Sequence, residues 1–168
     1  MKAILLVTLL TLSTSVAAQE TIEELDLVQS DVLRDFLSSR PDYAFAPESR
    51  FFDGGMREYL EETGQDVSDL SPHYASGDFN GDSLPDFAVL VLHENEERET
   101  NGSMSIVVFT LSESGSYSNV VIDDVANASG GYSIMSWEDS LCAGEWESEI
   151  YCLAPIGDTY EWDSSDLY

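Results

Sequence analysis

The chain has 168 residues and carries 33 aspartates and glutamates against six lysines and arginines, which gives a formal net charge of −27 at pH 7. So negative a surface repels nucleic acids and anionic membranes and attracts cations and basic proteins, although adaptation to a salty habitat would produce the same composition. The hydrophobic content of 43% argues against a disordered chain.

Residues 1–18 have the pattern of a secretory signal peptide. Lys2 precedes an apolar run over residues 4–12, and small residues at 16–18 provide a cleavage site. The run is shorter than the roughly 20 residues that a membrane-spanning helix needs. We therefore expect an exported protein, periplasmic or extracellular and not inserted in a membrane, whose mature part is one domain over residues 19–168.

The start of this domain is predicted to be helical. Thr21-Ile22-Glu23-Glu24 has the form of a capping box, and apolar residues then recur at helical spacing until Pro41 ends the helix. Residues 41–55 contain prolines and glycines, which favours a loop. The segment from Met56 to Gly64 indicates a short second helix.

From Tyr74 onward, short strand patterns alternate with turn signals. Residues 87–92 are apolar throughout, which is typical of a strand covered on both faces. Further strands are predicted over residues 105–111, 117–122, 132–137, 149–153 and 159–162. The predicted fold class is α+β, with N-terminal helices packed on one face of an antiparallel β-meander sheet.

Cys142 and Cys152 are the only cysteines. In an exported protein two cysteines most simply pair, so we predict a disulfide that pins the last strands. A zinc site is disfavoured, because no CxxC spacing occurs and His73 and His93 lie far away in sequence. Both histidines are expected to be capping or surface residues.

The most specific motif is the nine-residue segment from Asp78 to Asp86. Oxygen-bearing side chains occupy its first, third, fifth and ninth places, namely Asp78, Asn80, Asp82 and Asp86. In a tight loop the first three of these point to one centre, the carbonyl of Leu84 turns inward, and the ninth side chain reaches back directly or through a water. Calcium takes about 6–8 oxygen ligands at about 2.3–2.6 Å, and this set supplies most of them. We predict a Ca²⁺ site with these five residues as ligands.

The loop and its flanks resemble the calcium loops of FG-GAP and VCBS-type repeats. Gly77-Asp78-Phe79-Asn80-Gly81-Asp82 matches the entry of such loops, and Pro85-Asp86-Phe87-Ala88-Val89 is similar to the way they lead into the next strand. The resemblance implies the same ligands in a single copy, as in small exported proteins of this kind, a group with no settled activity. Ser83 departs from the family, which usually has glycine there, and a left-handed backbone costs serine about 1 kcal/mol.

We predict that the calcium ion is structural and that the protein is a non-enzymatic binding or interaction module. One alternative is an acidic secreted inhibitor of a cationic hydrolase. Ser129-Gly130-Gly131-Tyr132 resembles the Ser-Gly-x-Tyr motif of invertebrate-type lysozyme inhibitors, and Ser114-Gly115-Ser116-Tyr117 has the same form. This alternative predicts an exposed loop carrying Ser129 and Tyr132.

A second alternative is a carboxylate-based hydrolase, which predicts an acidic cleft holding a carboxyl group of raised pKa. No G-x-S-x-G or HExxH motif supports it, and no catalytic residue can be selected among so many acids. Aromatic residues concentrate in the C-terminal third, at Trp137, Trp146, Tyr151, Tyr160 and Trp162. We expect core or cross-strand positions for them, whereas a row of exposed tryptophans would indicate a sugar-binding surface.

Overall fold

The computed structural model describes residues 25–45, 62–64, 72–93, 103–127, 132–145 and 150–163. The predicted signal peptide, the Thr21 capping box and most of the predicted second helix lie outside these ranges. Within them, one helix is followed by nine strands in two antiparallel sheets. The elements are α1 (Leu27–Ser39), β1 (Tyr43–Phe45), β2 (Tyr74–Gly77), β3 (Asp86–His93), β4 (Ser103–Leu111), β5 (Tyr117–Asn127), β6 (Tyr132–Trp137), β7 (Ser140–Glu145), β8 (Ile150–Ile156) and β9 (Thr159–Asp163).

Helix α1 begins later than predicted, at Leu27. Asp26 is its N-cap: the Asp26 carboxylate accepts a 2.8 Å hydrogen bond from the backbone N–H of Gln29, whose side-chain oxygen accepts one of 3.2 Å from the N–H of Asp26. This reciprocal pair is a capping box, and it starts five residues further along the chain than the predicted one at Thr21. The helix ends at Ser39, before Pro41, as expected.

Strand β3 lies inside the first sheet, whose order is β1-β3-β4-β5. One edge of β3 pairs with β2 over residues 86–89 and with β1 over residues 91–93, so both short strands share that edge. Strand β1 was not expected, since residues 41–55 were predicted to be a loop. Tyr43 is buried beneath α1, which gives the extended segment a packing partner.

The second sheet is a meander in the order β6-β7-β8-β9. The prediction of a single sheet is therefore wrong, although the antiparallel meander and the helix that precedes it are present. Strand β7 was missed, because Leu141 is its only large apolar residue and its sequence shows no clear alternation of apolar and polar residues. Of the segment predicted as a second helix, only residues 62–64 are described: residues 62–63 have helical backbone, too few to count as a second helix, and Gly64 follows with φ 68°.

The two faces of β3 contribute to two apolar clusters. Phe87, Val89 and Val91 pack with residues of α1, while Ala88 and Leu90 pack with residues of the second sheet. All five are fully buried. The apolar run is thus a strand covered on both faces, as its composition predicted. The cluster between the sheets is the one that borders the predicted calcium loop.

The predicted disulfide joins Cys142 on β7 to Cys152 on β8, at directly opposed positions of the second sheet. A disulfide is consistent with an oxidising, exported compartment. Among the described residues, none of the helical segments has the length and apolar character needed to cross a membrane.

Candidate metal centre

The predicted calcium loop joins two paired strands of the five-stranded sheet. Strand β2 ends at Gly77 and β3 begins at Asp86, and these two residues are partners in the ladder. Phe79, at the second loop position, is buried with 3% of its surface exposed, whereas residues 80–83 are exposed. The loop is therefore fixed to the core at two points and open to solvent between them.

The side chains at the first, third and fifth loop positions converge. The backbone N–H of Asp82 donates hydrogen bonds to Oδ1 of Asp78 (2.9 Å) and to the side-chain oxygen of Asn80 (3.0 Å). The N–H of Ser83 donates to the second oxygen of Asp78 at 2.8 Å. Because one N–H contacts both side chains, the oxygens of Asp78 and Asn80 lie on the same side of the turn.

Asp82 is tied into the same network. Its Oδ1 accepts a 2.8 Å hydrogen bond from the N–H of Leu84, and its Oδ2 accepts one of 2.9 Å from the amide nitrogen of Asn80. Leu84, the predicted carbonyl ligand, is thus part of the turn through its backbone. The structure brings four of the five predicted ligands into one hydrogen-bonded loop.

Asp86, the fifth predicted ligand, is fully buried at the start of β3. Its two oxygens accept hydrogen bonds from the backbone N–H groups of Phe79 (3.1 Å) and Leu111 (3.0 Å). Burial raises the pKa of Asp86, and the charges of Asp82 and Asp78 raise it further, while the two backbone donors oppose the shift. The carboxylate therefore lies in the field of the other two loop acids.

The backbone of the loop turns through the left-handed region twice. Gly81 has φ 76° and Ser83 has φ 69°. Glycine adopts this conformation without steric cost, whereas a serine side chain disfavours it. The position where the resembling loops usually carry glycine is thus left-handed here too, and the strain expected from Ser83 is present.

The donor set suits a hard cation, because every predicted ligand atom is an oxygen. Among the described residues, no group of three or more His, Cys, Asp or Glu side chains is arranged to hold a metal ion. Two of the five predicted ligands are of other kinds, however: the side-chain amide oxygen of Asn80 and the backbone carbonyl oxygen of Leu84. A carboxylate oxygen has two lone pairs, so one that accepts a backbone hydrogen bond can still face a cation. On this chemistry the residues fit Ca²⁺.

One buried tyrosine has a raised pKa that the sequence did not signal. Tyr160 on β9 was expected in the core and is buried there, with 8% of its surface exposed. Its pKa is raised to about 12, first by burial and then by the charges of Asp86, Asp82 and Asp78. The charges of these three loop carboxylates, which come from a distant part of the sequence, thus contribute to the raised pKa of Tyr160. Nothing in the local sequence signals this, because the two segments lie far apart in the chain.

The aromatic residues of the C-terminal third divide between core and surface. Tyr160 is in the core, and the ring centroids of Tyr151 and Trp162 lie 6.5 Å apart. Trp137 and Trp162 expose 65% and 40% of their surface. The expectation of core or cross-strand positions is thus met in part. Trp146 lies outside the described residues.

A second polar cluster, also not anticipated, holds β1 in place. The guanidinium of Arg40 lies 4.5 Å from the ring centroid of Tyr43, and the ring of His93 stacks on Tyr43 at 4.7 Å. Asp42 accepts a hydrogen bond of 3.2 Å from Arg40 and approaches Nε2 of His93 at 3.7 Å. The Tyr43 hydroxyl donates to Asp123. His93 is half-buried and contributes packing to this cluster, which joins the end of α1 to the first sheet.

Comparison with known proteins does not assign the chain to a family. No family model matches the chain, and no significant similarity was found among curated proteins or among solved structures. Any proposal for function therefore rests on the chemistry of the loop and its surroundings.

Proposed function

We propose that this protein is an exported calcium-binding domain, in which Ca²⁺ bound by the 78–86 loop has a structural role and the domain acts as a non-enzymatic binding or interaction module. The ligands would be the side chains of Asp78, Asn80, Asp82 and Asp86 and the carbonyl of Leu84. The bound ion would neutralise carboxylates that repel one another and would fix the exposed turn.

The observation that carries this proposal is the environment of Asp86. A fully buried carboxylate is costly unless a positive charge compensates it. Here the charges that act on Asp86 are those of Asp82 and Asp78, which are also negative. The two arginines in the described part of the chain pair elsewhere, with Asp31 and Asp42 respectively. A cation taken from solution would supply the missing compensation.

Calcium is favoured over magnesium by the nature of the donors. Magnesium demands a regular octahedron and keeps several waters, whereas calcium accepts an irregular set of carboxylate, amide and carbonyl oxygens. A loop that offers all three kinds of oxygen over nine residues matches the second preference. Export is supported by the signal-like residues 1–18 and by the disulfide.

Both alternatives have weaker support. Tyr132, which an inhibitor loop would have to present, is buried with 7% exposed, and Ser129 lies outside the described residues. A hydrolase needs a carboxyl of raised pKa that substrate can reach, and Asp86 has the raised pKa but no exposed surface. In the second Ser-Gly-x-Tyr segment, residues 114–116 form an exposed turn, whereas Tyr117 is half-buried and packs against Phe87. This exposed turn is the surface feature that supports the inhibitor alternative.

The direct test is a calorimetric titration of the mature chain with Ca²⁺ and, separately, with Mg²⁺. Extracellular calcium modules bind with dissociation constants of about 10⁻⁴–10⁻³ M, and we expect a value in this range with weaker magnesium binding. Asp82→Asn, which removes one charge at constant shape, should weaken binding strongly. Asp35→Asn removes a charge from the exposed face of α1 and is the matched control. Absence of calcium binding by the wild-type chain, or equal losses in the two variants, would refute the proposal.

A further inference from the structure

The two faces of the second sheet differ in what they pack against. Side chains of successive strand residues point to opposite faces, and the face that carries Ile134, Leu141 and Leu153 belongs to the apolar cluster shared with the first sheet. The intervening residues point the other way, and we call the surface they form the outer face. Since α1 packs on the far side of the first sheet, the described layers run helix, first sheet, second sheet, and the outer face ends this stack.

The outer face carries large apolar side chains. Trp137, Ile150 and Ile156 expose 65%, 46% and 51% of their surface. Met135 and the Cys142–Cys152 disulfide lie on the same face, where Met135 and Cys142 are ladder partners. Each of the three exposed residues is adjacent in its strand to a residue whose ladder partner is in the core, namely Leu141, Ala143 and Tyr160 respectively. Exposed apolar side chains gathered on one face are typical of an interaction site.

The charge around the outer face is entirely negative. Residues 132–163 contain eight aspartates and glutamates and no lysine, arginine or histidine. Glu138 and Asp139 form the exposed turn that follows Trp137, and Asp158 lies in the exposed turn after β8. A second copy of the chain would bring these acids against one another, which opposes self-association. A partner with both cations and apolar side chains is complementary to this surface.

We propose that the outer face of the second sheet is where this domain binds its partner, and that the partner is a basic polypeptide. The partner's apolar side chains would pack on Trp137, Ile150 and Ile156, and its cations would lie against the carboxylates of the two turns. The proposal rests on the proposed function, because it gives the interaction module a surface and a class of partner. It does not depend on calcium binding.

Trp162 provides a matched control for Trp137. It lies on β9 of the same sheet and exposes 40% of its surface. Its ladder partner Leu153 belongs to the cluster between the sheets, so the Trp162 side chain points away from the outer face. Truncating either tryptophan to alanine thus removes an exposed indole at constant net charge, but from opposite faces of the sheet.

The test measures binding of a synthetic amphipathic helix, with one leucine face and one lysine face, to the mature chain by calorimetric titration. We expect Trp137→Ala to raise the dissociation constant about fivefold to thirtyfold, as for an interface tryptophan. Ile156→Ala, a second variant on the outer face, should also weaken binding, whereas Trp162→Ala should stay within about twofold of wild type. The same helix with glutamate in place of lysine should not bind.

Salt separates the two parts of the interaction. Raising the salt concentration from about 0.1 M to about 1 M shortens the Debye length from about 10 Å to about 3 Å. Binding of the lysine helix should weaken in every chain, because screening suppresses the attraction between charges. The deficit of Trp137→Ala should persist, since burial of an indole is not screened. Melting curves check that each variant is folded.

Three results would overturn the proposal. They are no binding of the lysine helix, equal binding in wild type and both tryptophan variants, and equal losses in Trp137→Ala and Trp162→Ala. Sedimentation tests the other occupant: a wild-type dimer that Trp137→Ala abolishes would make the face an interface between copies and refute the basic partner. A chain that binds calcium but not the helix refutes this proposal alone, and one that binds the helix but not calcium refutes only the calcium role.

Discussion

The backbone N–H of Phe79 donates a 3.1 Å hydrogen bond to Oδ2 of Asp86, and both side chains are buried. This bond connects the second and ninth positions of the loop, so it closes the turn from the core side. The position of the exposed residues between them therefore depends on how Phe79 and Asp86 pack in the core. A change that displaces the Phe79 ring should therefore be felt by the predicted calcium ligands.

Gly77→Ala provides such a change. A Cβ atom at this position would lie 2.9 Å from Cε1 of Phe79 and 3.0 Å from Oγ of Ser136, closer than unstrained contacts allow. Because Phe79 is packed in the core, we expect a loss of about 1–3 kcal/mol in the free energy of unfolding, as for other overpacked sites, measured by urea denaturation. Calcium affinity should fall as well.

The neighbouring Ser76→Ala is the control for Gly77→Ala, since residue 76 is exposed and the substitution adds no atoms. It should leave both quantities close to wild type. If Gly77→Ala were as stable as wild type and bound calcium equally well, the coupling between the core and the loop would have to be abandoned.

Ser83→Gly should stabilise the protein. The φ of 69° at Ser83 is one that glycine adopts freely, so we expect the free energy of unfolding to rise by up to about 1 kcal/mol. Ser114→Gly, in the exposed turn between β4 and β5 and outside the left-handed region, should lower it by a few tenths to about 1 kcal/mol, because glycine adds freedom to the unfolded chain. Chemical denaturation of both variants measures the difference. Shifts in the same direction would contradict the account of the loop backbone.

Removing the disulfide should cost stability. The bridge links residues ten apart in sequence, and closing so short a loop stabilises a protein by about 2–3 kcal/mol. The double variant Cys142→Ala/Cys152→Ala is expected to lose this amount in urea denaturation. A reducing agent should lower the stability of the wild-type chain similarly and leave the double variant unchanged. A wild-type chain indifferent to reductant would show that the bridge is not formed.

The protein should become unstable in alkali. Burial, with smaller contributions that include the hydrogen bond to Asp123, raises the pKa of Tyr43 from 10.0 to about 12. The unfolded chain therefore loses this proton at lower pH than the folded chain, so the stabilisation is complete below about pH 10 and is lost as the pH rises toward 12. The slope is at most about 1.4 kcal/mol per pH unit for each such tyrosine.

Tyr43→Phe tests this pH dependence, because it removes the titrating group and keeps the ring that stacks on His93. Denaturation midpoints measured from about pH 9 to about pH 12 should fall less steeply for the variant than for wild type. Identical slopes would mean that Tyr43 does not retain its proton in the folded state.

Much of the fold could be predicted where an element is determined by the residues of its own short segment. The run at residues 87–92 is apolar because β3 is buried on both sides, and that pattern needs no knowledge of the partners. The turn at Gly115 and the end of α1 before Pro41 follow from residues that act on their own backbone. The loop ligands could be proposed for the same reason, because their spacing lies within nine residues.

The remainder depends on contacts between distant segments. The start of α1 was misplaced because Asp26-x-x-Gln29 and Thr21-x-x-Glu24 have the same capping form, and sequence alone gives no means of choosing between them. Strand β7 has little pattern of its own and is identified by its partners β6 and β8. The division into two sheets likewise cannot be read from any short segment of the sequence.

The central claim is that the 78–86 loop binds calcium, and the most direct measurement is the melting temperature of the mature chain in EDTA and in Ca²⁺ at matched ionic strength. At about 100-fold excess over the dissociation constant, binding adds about 2.7 kcal/mol, which raises the melting temperature by several degrees for a domain of this size. We expect this rise in wild type and in Asp35→Ala, and its loss in Asp82→Ala. No calcium-dependent rise in wild type, or an equal rise in Asp82→Ala, would contradict it.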